Sequence, residues 1–220
     1  MQEIINITSL ALVDAINPCT LAVQVLLLSS LLATRGRKSV LVGGLIFSFT
    51  IYVMYALYGL GVLKVIYALG IDQIIKIILK GLLLILAFFE ILAYFRYKPG
   101  MISIEMPKVF RPYAKKILSS VENPLLALPA AILCSVLLLP CSSGPYAVML
   151  MMISSLEFAK QLVIIAYYNA LFILPMIGIT LLIYLGTKPK KVMEWREKHI
   201  REIHLISGLL LLLVFIMVSR

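Results

Sequence analysis

Two of the three cysteines in this 220-residue chain directly follow a proline: Cys19 follows Pro18, and Cys141 follows Pro140. Both pairs lie inside long apolar stretches. Two thiols that meet can cycle between a dithiol and a disulfide by exchange with another thiol, and two thiolates can also bind a soft metal ion. A buried cysteine taken alone is an ordinary small apolar residue, so the matched Pro-Cys pairs favour the redox interpretation.

The prolines also predict interruptions of the helices that contain them. Proline removes a backbone donor and clashes with the preceding turn, which breaks or kinks a helix. We expect one break at Asn17 and Pro18, and another that begins at Pro140 and continues through Gly144 and Pro145. A broken helix at membrane depth is tolerated only where it faces protein or a wet cavity, so each sulfur is expected to border such a cavity. Asn17 and the serines after Cys141 are expected to bond the backbone groups that the breaks free.

Asp14 is a carboxylate inside the first apolar stretch, one turn before the first break. Ionisable side chains within a membrane are costly and are functional candidates by default. A carboxylate near a sulfur would hold the thiol protonated or accept its proton. The other interpretation is that Asp14 extends to the interface or caps a helix segment, and the sequence leaves both open.

The remaining polar residues of the apolar stretches are expected to have lesser roles. Cys134 has no counterpart in the first half of the chain and is expected to pack. Glu90 is expected to reach the interface beside Arg96, and the two histidines lie in or beside the last basic loop. No cluster of ligands accompanies them, so neither a metal site nor an organic cofactor is expected. Two further residues, Asn169 and Pro175, predict a discontinuous fifth apolar stretch, which suits a gate or a static kink.

Composition identifies the elements that must position these residues. The chain is 62% hydrophobic and 14% charged, and its mean hydropathy is +1.06. These values exclude a soluble domain, and a β-barrel would show alternation instead of long apolar runs. We therefore predict an all-α integral membrane protein. Six spans are expected, at residues 7–33, 39–63, 74–95, 125–153, 161–185 and 203–219.

Basic residues predict the orientation of these spans. Fifteen of the twenty Lys and Arg lie in three segments, 35–38, 96–116 and 188–201. Because basic loops stay in the cytoplasm, both termini are expected outside a plasma membrane. The net charge of +10 then indicates contact with lipid headgroups, and no nucleic acid partner is expected. Trp195, in the last segment, either anchors at the interface or merely packs there.

The order of motifs predicts an internal repeat. The two Pro-Cys pairs are 122 residues apart, and two weaker echoes, Leu60-Gly61 with Leu185-Gly186 and Gly81 with Gly208, follow at similar offsets. An odd number of spans in each half makes the halves antiparallel. We expect one membrane domain, 1–220, with inverted three-helix halves at about 1–98 and 117–220 joined by a cytoplasmic loop, 99–116. Broken helices 1 and 4 would then face each other near the pseudo-twofold axis, at the distance a disulfide needs.

With these motifs in place, the chain resembles the CcdA family of cytochrome c biogenesis proteins and the central membrane domain of the DsbD reductases. The most specific similarities are the elements at 17–19 and 140–146. The resemblance implies that Cys19 and Cys141 form a catalytic pair that cycles between disulfide and dithiol. It also implies that cytoplasmic thioredoxin donates the electrons and that an extracytoplasmic thioredoxin-like protein accepts them. The DsbD proteins also have soluble domains, for which this sequence shows no counterpart, so we expect the acceptor to be a separate protein.

A second class of function fits the same pattern. A small secondary transporter would use the broken helices as a binding site at the midplane of the membrane, and Asp14 and Asn17 would contact its ion or solute. A soft-metal permease would bind its ion with the two Pro-Cys thiols, although no Met or His cluster surrounds them. The cysteines discriminate between the classes, because a transporter is expected to survive the loss of both.

Overall fold

A computed structural model describes the backbone of residues 2–69, 72–96 and 111–219. Within these ranges the chain forms helices joined by short turns, with no strand. A 3₁₀ turn at Pro124–Leu126 precedes α6. The α-helices are α1 Gln2–Ala15, α2 Pro18–Arg35, α3 Arg37–Leu69, α4 Asp72–Arg96, α5 Arg111–Ser119, α6 Ala127–Ile153, α7 Phe158–Tyr184, α8 Pro189–Lys198 and α9 Ile200–Ser219.

Several of these helices are long and apolar enough to cross a membrane. Among the described residues, three qualify by length and composition: α2, residues 37–68 of α3, and α7. Two bent pairs raise the number to five if each pair is one span. They are Pro124–Leu139 with Gly144–Ile153, and α8 with Ile200–Ile216. These helices support a helical membrane protein with three to five candidate spans.

The distribution of side chains also suits an apolar surrounding. Large apolar side chains point outward, and Phe49, Phe88 and Val163 are each more than 60% exposed. Polar side chains lie inside, where Gln24 and Asn169 are fully buried. Contiguous apolar surface of this kind marks contact with a membrane or a partner. The polar groups therefore have to bond each other inside the bundle.

The packing brings helices from both halves of the chain together. Helix α4 packs most extensively on α9, and α3 packs on α6 and α7. Helix α1 lies against α6, α7 and α9. Gly208 permits the close approach of α9 to α4, because a Cβ there would lie 2.7 Å from Cγ1 of Ile91. Both breaks thus belong to one packed bundle.

A polar junction holds α2, α3 and α7 together. The Nε2 of Gln24 donates to Oγ1 of Thr180 at 2.7 Å and lies 3.5 Å from the carbonyl oxygen of Gly44. Thr180 in turn donates to the carbonyl oxygen of Met176 at 2.8 Å. A Cβ at position 44 would lie 2.6 Å from the Thr180 hydroxyl, so only glycine fits there without displacement.

Residues that flank the three basic segments lie close to one another. The hydroxyl of Ser30, near the end of α2, donates to the carbonyl oxygen of Val121 at 3.0 Å. Gly186, just after α7, lies beside the guanidinium group of Arg37. Residues next to 35–38, 96–116 and 188–201 are therefore neighbours. This arrangement agrees with a common side for the three segments.

Two sequence-based expectations about the helices are wrong. Helix α7 is continuous through Pro175, so the fifth apolar stretch is not interrupted there. The Leu-Gly echoes are also not structurally equivalent: Gly61 lies inside α3, whereas Gly186 follows α7 with a φ of 116°. A positive φ favours glycine at a helix end, whereas a helix interior does not need it. Gly81 and Gly208 are not structurally equivalent either, because Gly81 faces open space and Gly208 is packed against α4.

Candidate functional site

The first break separates α1 from α2 at Ile16 and Asn17. Asn17 is the N-cap of α2, and its Oδ1 accepts a hydrogen bond from the backbone nitrogen of Cys19 at 2.9 Å. Pro18 occupies the first helical position, where its missing donor costs nothing. The hydroxyl of Thr20 donates to the carbonyl oxygen of Asn17 at 3.3 Å. The break is thus a bonded corner in which Asn17 acts on the backbone, as expected for a structural role.

Cys19 lies in the first turn of α2 and is buried, with 5% of its surface exposed. The first turn of a helix carries the positive end of the helix dipole and unpaired backbone donors. Cys19 therefore lies directly at the corner between α1 and α2.

The second break is a bend within α6. The axis turns by 86° between the segments that end at Leu139 and begin at Gly144. Gly144 allows the side chain of Leu86 on α4 to approach the backbone, because a Cβ there would collide with Cδ1 of Leu86. Pro145 is buried just after the bend. The side chains of Pro140 and Cys141 lie outside the described residues.

Asp14 connects the two breaks. Its carboxyl group is 1% exposed, and Oδ2 accepts a hydrogen bond from Oη of Tyr168 on α7 at 3.2 Å. The side chain of Ser142, the residue after Cys141, lies next to this carboxyl group, and that of Asn17 is also near. Oδ1 accepts no hydrogen bond of ordinary geometry from the described residues. Asp14 is therefore held inside the bundle, so of the interpretations that the sequence left open, the one in which it extends to the interface does not hold.

A cluster of tyrosines surrounds this carboxyl group. The ring centroids of Tyr146 and Tyr168 are 5.3 Å apart, and those of Tyr55 and Tyr146 are 5.8 Å apart. Tyr146 donates from Oη to the carbonyl oxygen of Tyr55 at 2.6 Å, and Asn169 donates a longer bond, 3.5 Å, to the same Oη. Sequence analysis did not identify these tyrosines. The position of Tyr146 at the end of the second Pro-Cys element was the available signal.

Arg196 reaches the first break from α8. Its Nε donates to the carbonyl oxygen of Pro18 at 2.8 Å. Beside this bond, α2, α7 and α8 enclose a cavity of about 350 Å³ whose apolar walls include Leu21 and Val192. Trp195 stacks near His199 with ring centroids 4.9 Å apart and is 55% exposed. Helix α8 therefore packs against the first break, beside the residue that precedes Cys19.

Cys134 is a free thiol on α6 that is fully buried among apolar side chains. This surrounding agrees with the packing role expected for it. Within the described ranges, no three His, Cys, Asp or Glu side chains are grouped as ligands for a metal ion.

Glu90 and His204 form a buried pair, which corrects two expectations. Nδ1 of His204 on α9 lies 2.8 Å from Oε2 of Glu90 on α4, and the two side chains are 0% and 2% exposed. Glu90 therefore does not reach the interface beside Arg96, and His204 lies inside the bundle. Each side chain is the polar partner that the other needs in an apolar surrounding.

Comparison of the chain with protein-family models, with curated proteins and with solved structures finds no match.

Proposed function

We propose that this protein is a transmembrane thiol-disulfide oxidoreductase in which Cys19 and Cys141 form the redox pair. The observation that carries the proposal is the series of contacts from Asp14 through Tyr168 to Tyr146: Oη of Tyr168 donates to Oδ2 of Asp14 at 3.2 Å, and the ring centroids of Tyr168 and Tyr146 are 5.3 Å apart. Asp14 lies three residues before Asn17, and Tyr146 lies five residues after Cys141. The two Pro-Cys elements, 122 residues apart in the chain, thus belong to one buried site.

The packing of the helices supports the expected six spans in two inverted halves. Exchange of the halves would exchange the first broken span with α6, α3 with α7, and α4 with α9. The observed contacts fit this exchange. Helix α1 packs on α7 and α9, and α6 packs on their counterparts, α3 and α4. Inverted repeats with broken helices at their interface are typical of proteins that expose one site to each side in turn.

Charge supports the orientation of the site. Contacts between Ser30 and Val121 and between Arg37 and Gly186 bring together residues in or near the three basic segments, and we assign this end of the bundle to the cytoplasm. Both termini then face outward. A cytoplasmic thioredoxin would approach from the basic end, and the extracytoplasmic thioredoxin-like acceptor from the opposite end.

The exchange conserves electrons and protons. A thiolate of the reduced donor attacks one sulfur of the Cys19–Cys141 disulfide, the second sulfur leaves as a thiolate, and the donor's other thiol resolves the mixed disulfide. Two electrons and two protons pass to the pair, and the donor leaves as a disulfide. The same steps repeat on an oxidised acceptor. A difference of about 90 mV between thioredoxin and such an acceptor corresponds to roughly 4 kcal/mol for two electrons, so no ATP is required.

Asp14 has a defined place in this scheme. A carboxyl group beside Ser142 and one turn from the first break can take the proton of a thiol that becomes a nucleophile and return it to a leaving thiolate. Tyr168 fixes one carboxyl oxygen, and the exchange would use the other.

The test is a trapped intermediate. A thioredoxin that retains only its attacking cysteine cannot resolve the mixed disulfide and is expected to remain attached to the oxidised protein until a reductant is added. Cys19→Ser or Cys141→Ser should each prevent the adduct, and peptide mapping should place the linkage on Cys19. Cys134→Ser is the matched control and should leave the adduct and the electron transfer intact. An adduct that persists when both Cys19 and Cys141 are serine would refute the redox pair.

The buried polar groups also favour a second candidate, a small secondary transporter. Asp14 and Asn169 are buried inside a bundle with two broken helices, and transporters with a midplane site have such polar groups. A variant in which both Cys19 and Cys141 are serine decides between the candidates. A transporter would still move its solute, whereas a thiol-disulfide oxidoreductase would lose electron transfer.

A further inference from the structure

The cavity between α2, α7 and α8 has no part in the exchange mechanism. Its volume of about 350 Å³ is at the lower end of the range for small-molecule sites, about 300 to 1,000 Å³. Leu182 and Trp195 both line it and are 50% and 55% exposed, so the cavity opens at the surface of the bundle. The remaining apolar wall consists of Leu21, Val25, Ile179 and Val192. Such a space suits one flexible apolar chain better than a polar solute, whose burial there would be costly.

Positive charge lies at the edge of this apolar space. Among the described residues that line the cavity, the charged ones are Lys191 and Arg196, both on α8. Arg37 is close by, because a Cβ at Gly186 would lie 3.4 Å from a terminal guanidinium nitrogen of Arg37. Gly186 directly precedes Thr187, which also lines the cavity. The edge of the cavity is therefore basic.

The acidic residues of α8 lie on the other side of the helix. At about 3.6 residues per turn, the face that contains Val192 and Arg196 is opposite the face that contains Lys190, Glu194 and Glu197. Nζ of Lys190 lies 3.8 Å from Oε1 of Glu194, so the acid on that face has a basic partner of its own. The acidic side chains of α8 therefore point away from the cavity.

We propose that this cavity binds one anionic phospholipid, with an acyl chain against the walls of α2 and α7 and the phosphate at Lys191 and Arg196. Nε of Arg196 bonds the carbonyl oxygen of Pro18, and the terminal nitrogens of a guanidinium group suit phosphate oxygens. Trp195 is exposed beside them, and tryptophan favours the headgroup level of a membrane. Basic pockets between membrane helices bind lipid headgroups in this way. A zwitterionic lipid offers the same chain, but its choline group offsets the attraction.

The single tryptophan of the chain permits a direct test. Bromine atoms on an acyl chain quench tryptophan fluorescence only at short range, so Trp195 reports occupancy of the cavity. The full chain would be placed in phosphatidylcholine nanodiscs with a minor fraction of brominated phosphatidylglycerol or of brominated phosphatidylcholine. At equal fraction, the phosphatidylglycerol should quench several-fold more strongly. Equal quenching by the two lipids would overturn the proposal.

Two neighbouring lysines separate the effect of the cavity from that of the overall charge. Lys191→Gln removes a base that lines the cavity and should abolish most of the preference for phosphatidylglycerol. Lys190→Gln removes the same charge from the opposite face of α8 and should retain the preference. Both side chains are exposed, so folding should tolerate both substitutions. An equal loss in the two variants would assign the preference to net charge alone and refute the site.

Val192→Phe tests the space itself. Val192 is half-buried in the cavity wall, and the larger ring should occupy part of the volume that the acyl chain needs. Quenching by brominated phosphatidylglycerol should fall several-fold relative to the unsubstituted protein, and undiminished quenching would place the lipid elsewhere. If this variant fails to fold, the lysine pair still decides the question. None of these measurements involves electron transfer, so failure of the redox proposal would not affect them.

Discussion

Arg196 donates a hydrogen bond from Nε to the carbonyl oxygen of Pro18 at 2.8 Å, although 178 residues separate them. The bond joins α8 to the residue directly before Cys19. Pro18 begins a helix, and its carbonyl oxygen would otherwise receive only the bond from within that helix. Arginine is well suited to this contact, because its guanidinium group keeps further donors for other partners.

The first prediction concerns access to Cys19. Arg196→Gln removes the bond that holds α8 over the first break, so small thiol reagents should alkylate Cys19 several-fold faster in a background with Cys134→Ser and Cys141→Ser. Lys190→Gln, on the same helix but in an exposed pair with Glu194, should leave the rate unchanged. Equal rates in all three proteins would mean that α8 does not restrict access to the sulfur.

The second prediction concerns orientation. Because basic residues stay in the cytoplasm, a cysteine introduced at Lys190 should react with an impermeant thiol reagent only from the cytoplasmic side. A cysteine at Gln2 should react only from outside. Both are measured in a background that lacks the native cysteines. The reverse labelling at Gln2 would overturn the orientation and, with it, the side on which thioredoxin docks.

The third prediction concerns the corner at Asn17. Asn17→Ala removes the acceptor of the Cys19 backbone nitrogen and should lower the free energy of unfolding by about 0.5 to 2 kcal/mol, whereas Asn17→Ser should keep most of it. Asn123→Ala, which removes the longer 3.3 Å cap of the 3₁₀ turn, should cost less. Unfolding in mixed detergent micelles provides the measurement. A larger loss from Asn123→Ala would show that the corner is not specially stabilised.

The fourth prediction concerns the junction of α2, α3 and α7. Gly44→Ala places a Cβ 2.6 Å from Oγ1 of Thr180, which bonds to Gln24 and Met176 prevent from moving aside. The expected loss of stability is about 1 to 3 kcal/mol. Gly61→Ala, on the same helix but with nothing near its Cβ, should be neutral or slightly stabilising. Similar melting temperatures for the two variants would contradict the close contact.

The fifth prediction concerns the hydroxyl that fixes Asp14. Tyr168→Phe removes the donor to Oδ2, and a lost bond to a carboxylate of about 1.5 kcal/mol would slow electron transfer about tenfold. The matched control is Tyr167→Phe, whose hydroxyl lies 3.0 Å from Oγ1 of Thr8 and is more exposed. The rate of acceptor reduction in proteoliposomes is the readout. If the two substitutions slow transfer equally, Tyr168 has no special role in orienting Asp14.

Local chemistry predicted the first break because its causes are adjacent in the chain. Asparagine is a preferred helix cap, and proline is preferred at the first helical position. The corner at Asn17 therefore follows from two neighbouring residues. Apolar length likewise predicted where helices lie. Pro175 was misjudged because packing on α3 holds α7 in helical form despite the missing hydrogen bond.

Contacts distant in the chain were not predictable in the same way. Glu90 and His204 are 114 residues apart. Each lies near the end of a predicted span, so the sequence favoured a position at the membrane interface for both. Helix α8 lay in a segment described only as basic, so its contact with Pro18 was missed. Glu90 did carry a signal, because a carboxylate within an apolar stretch requires a partner.

The polar junction at Gln24 and the pair at Glu90 divide the bundle mechanically. Gln24 ties α2, α3 and α7 into one group, and the Glu90–His204 pair ties α4 to α9 as a second. Three of the described helices touch both groups: α1 packs on α7 and α9, α6 packs on α3 and α4, and α8 packs on α2 and α9. Any movement of one group against the other must therefore displace these connecting helices. Two of these helices, α1 and α6, contain or adjoin the breaks beside Cys19 and Cys141, so such a movement would reach both breaks.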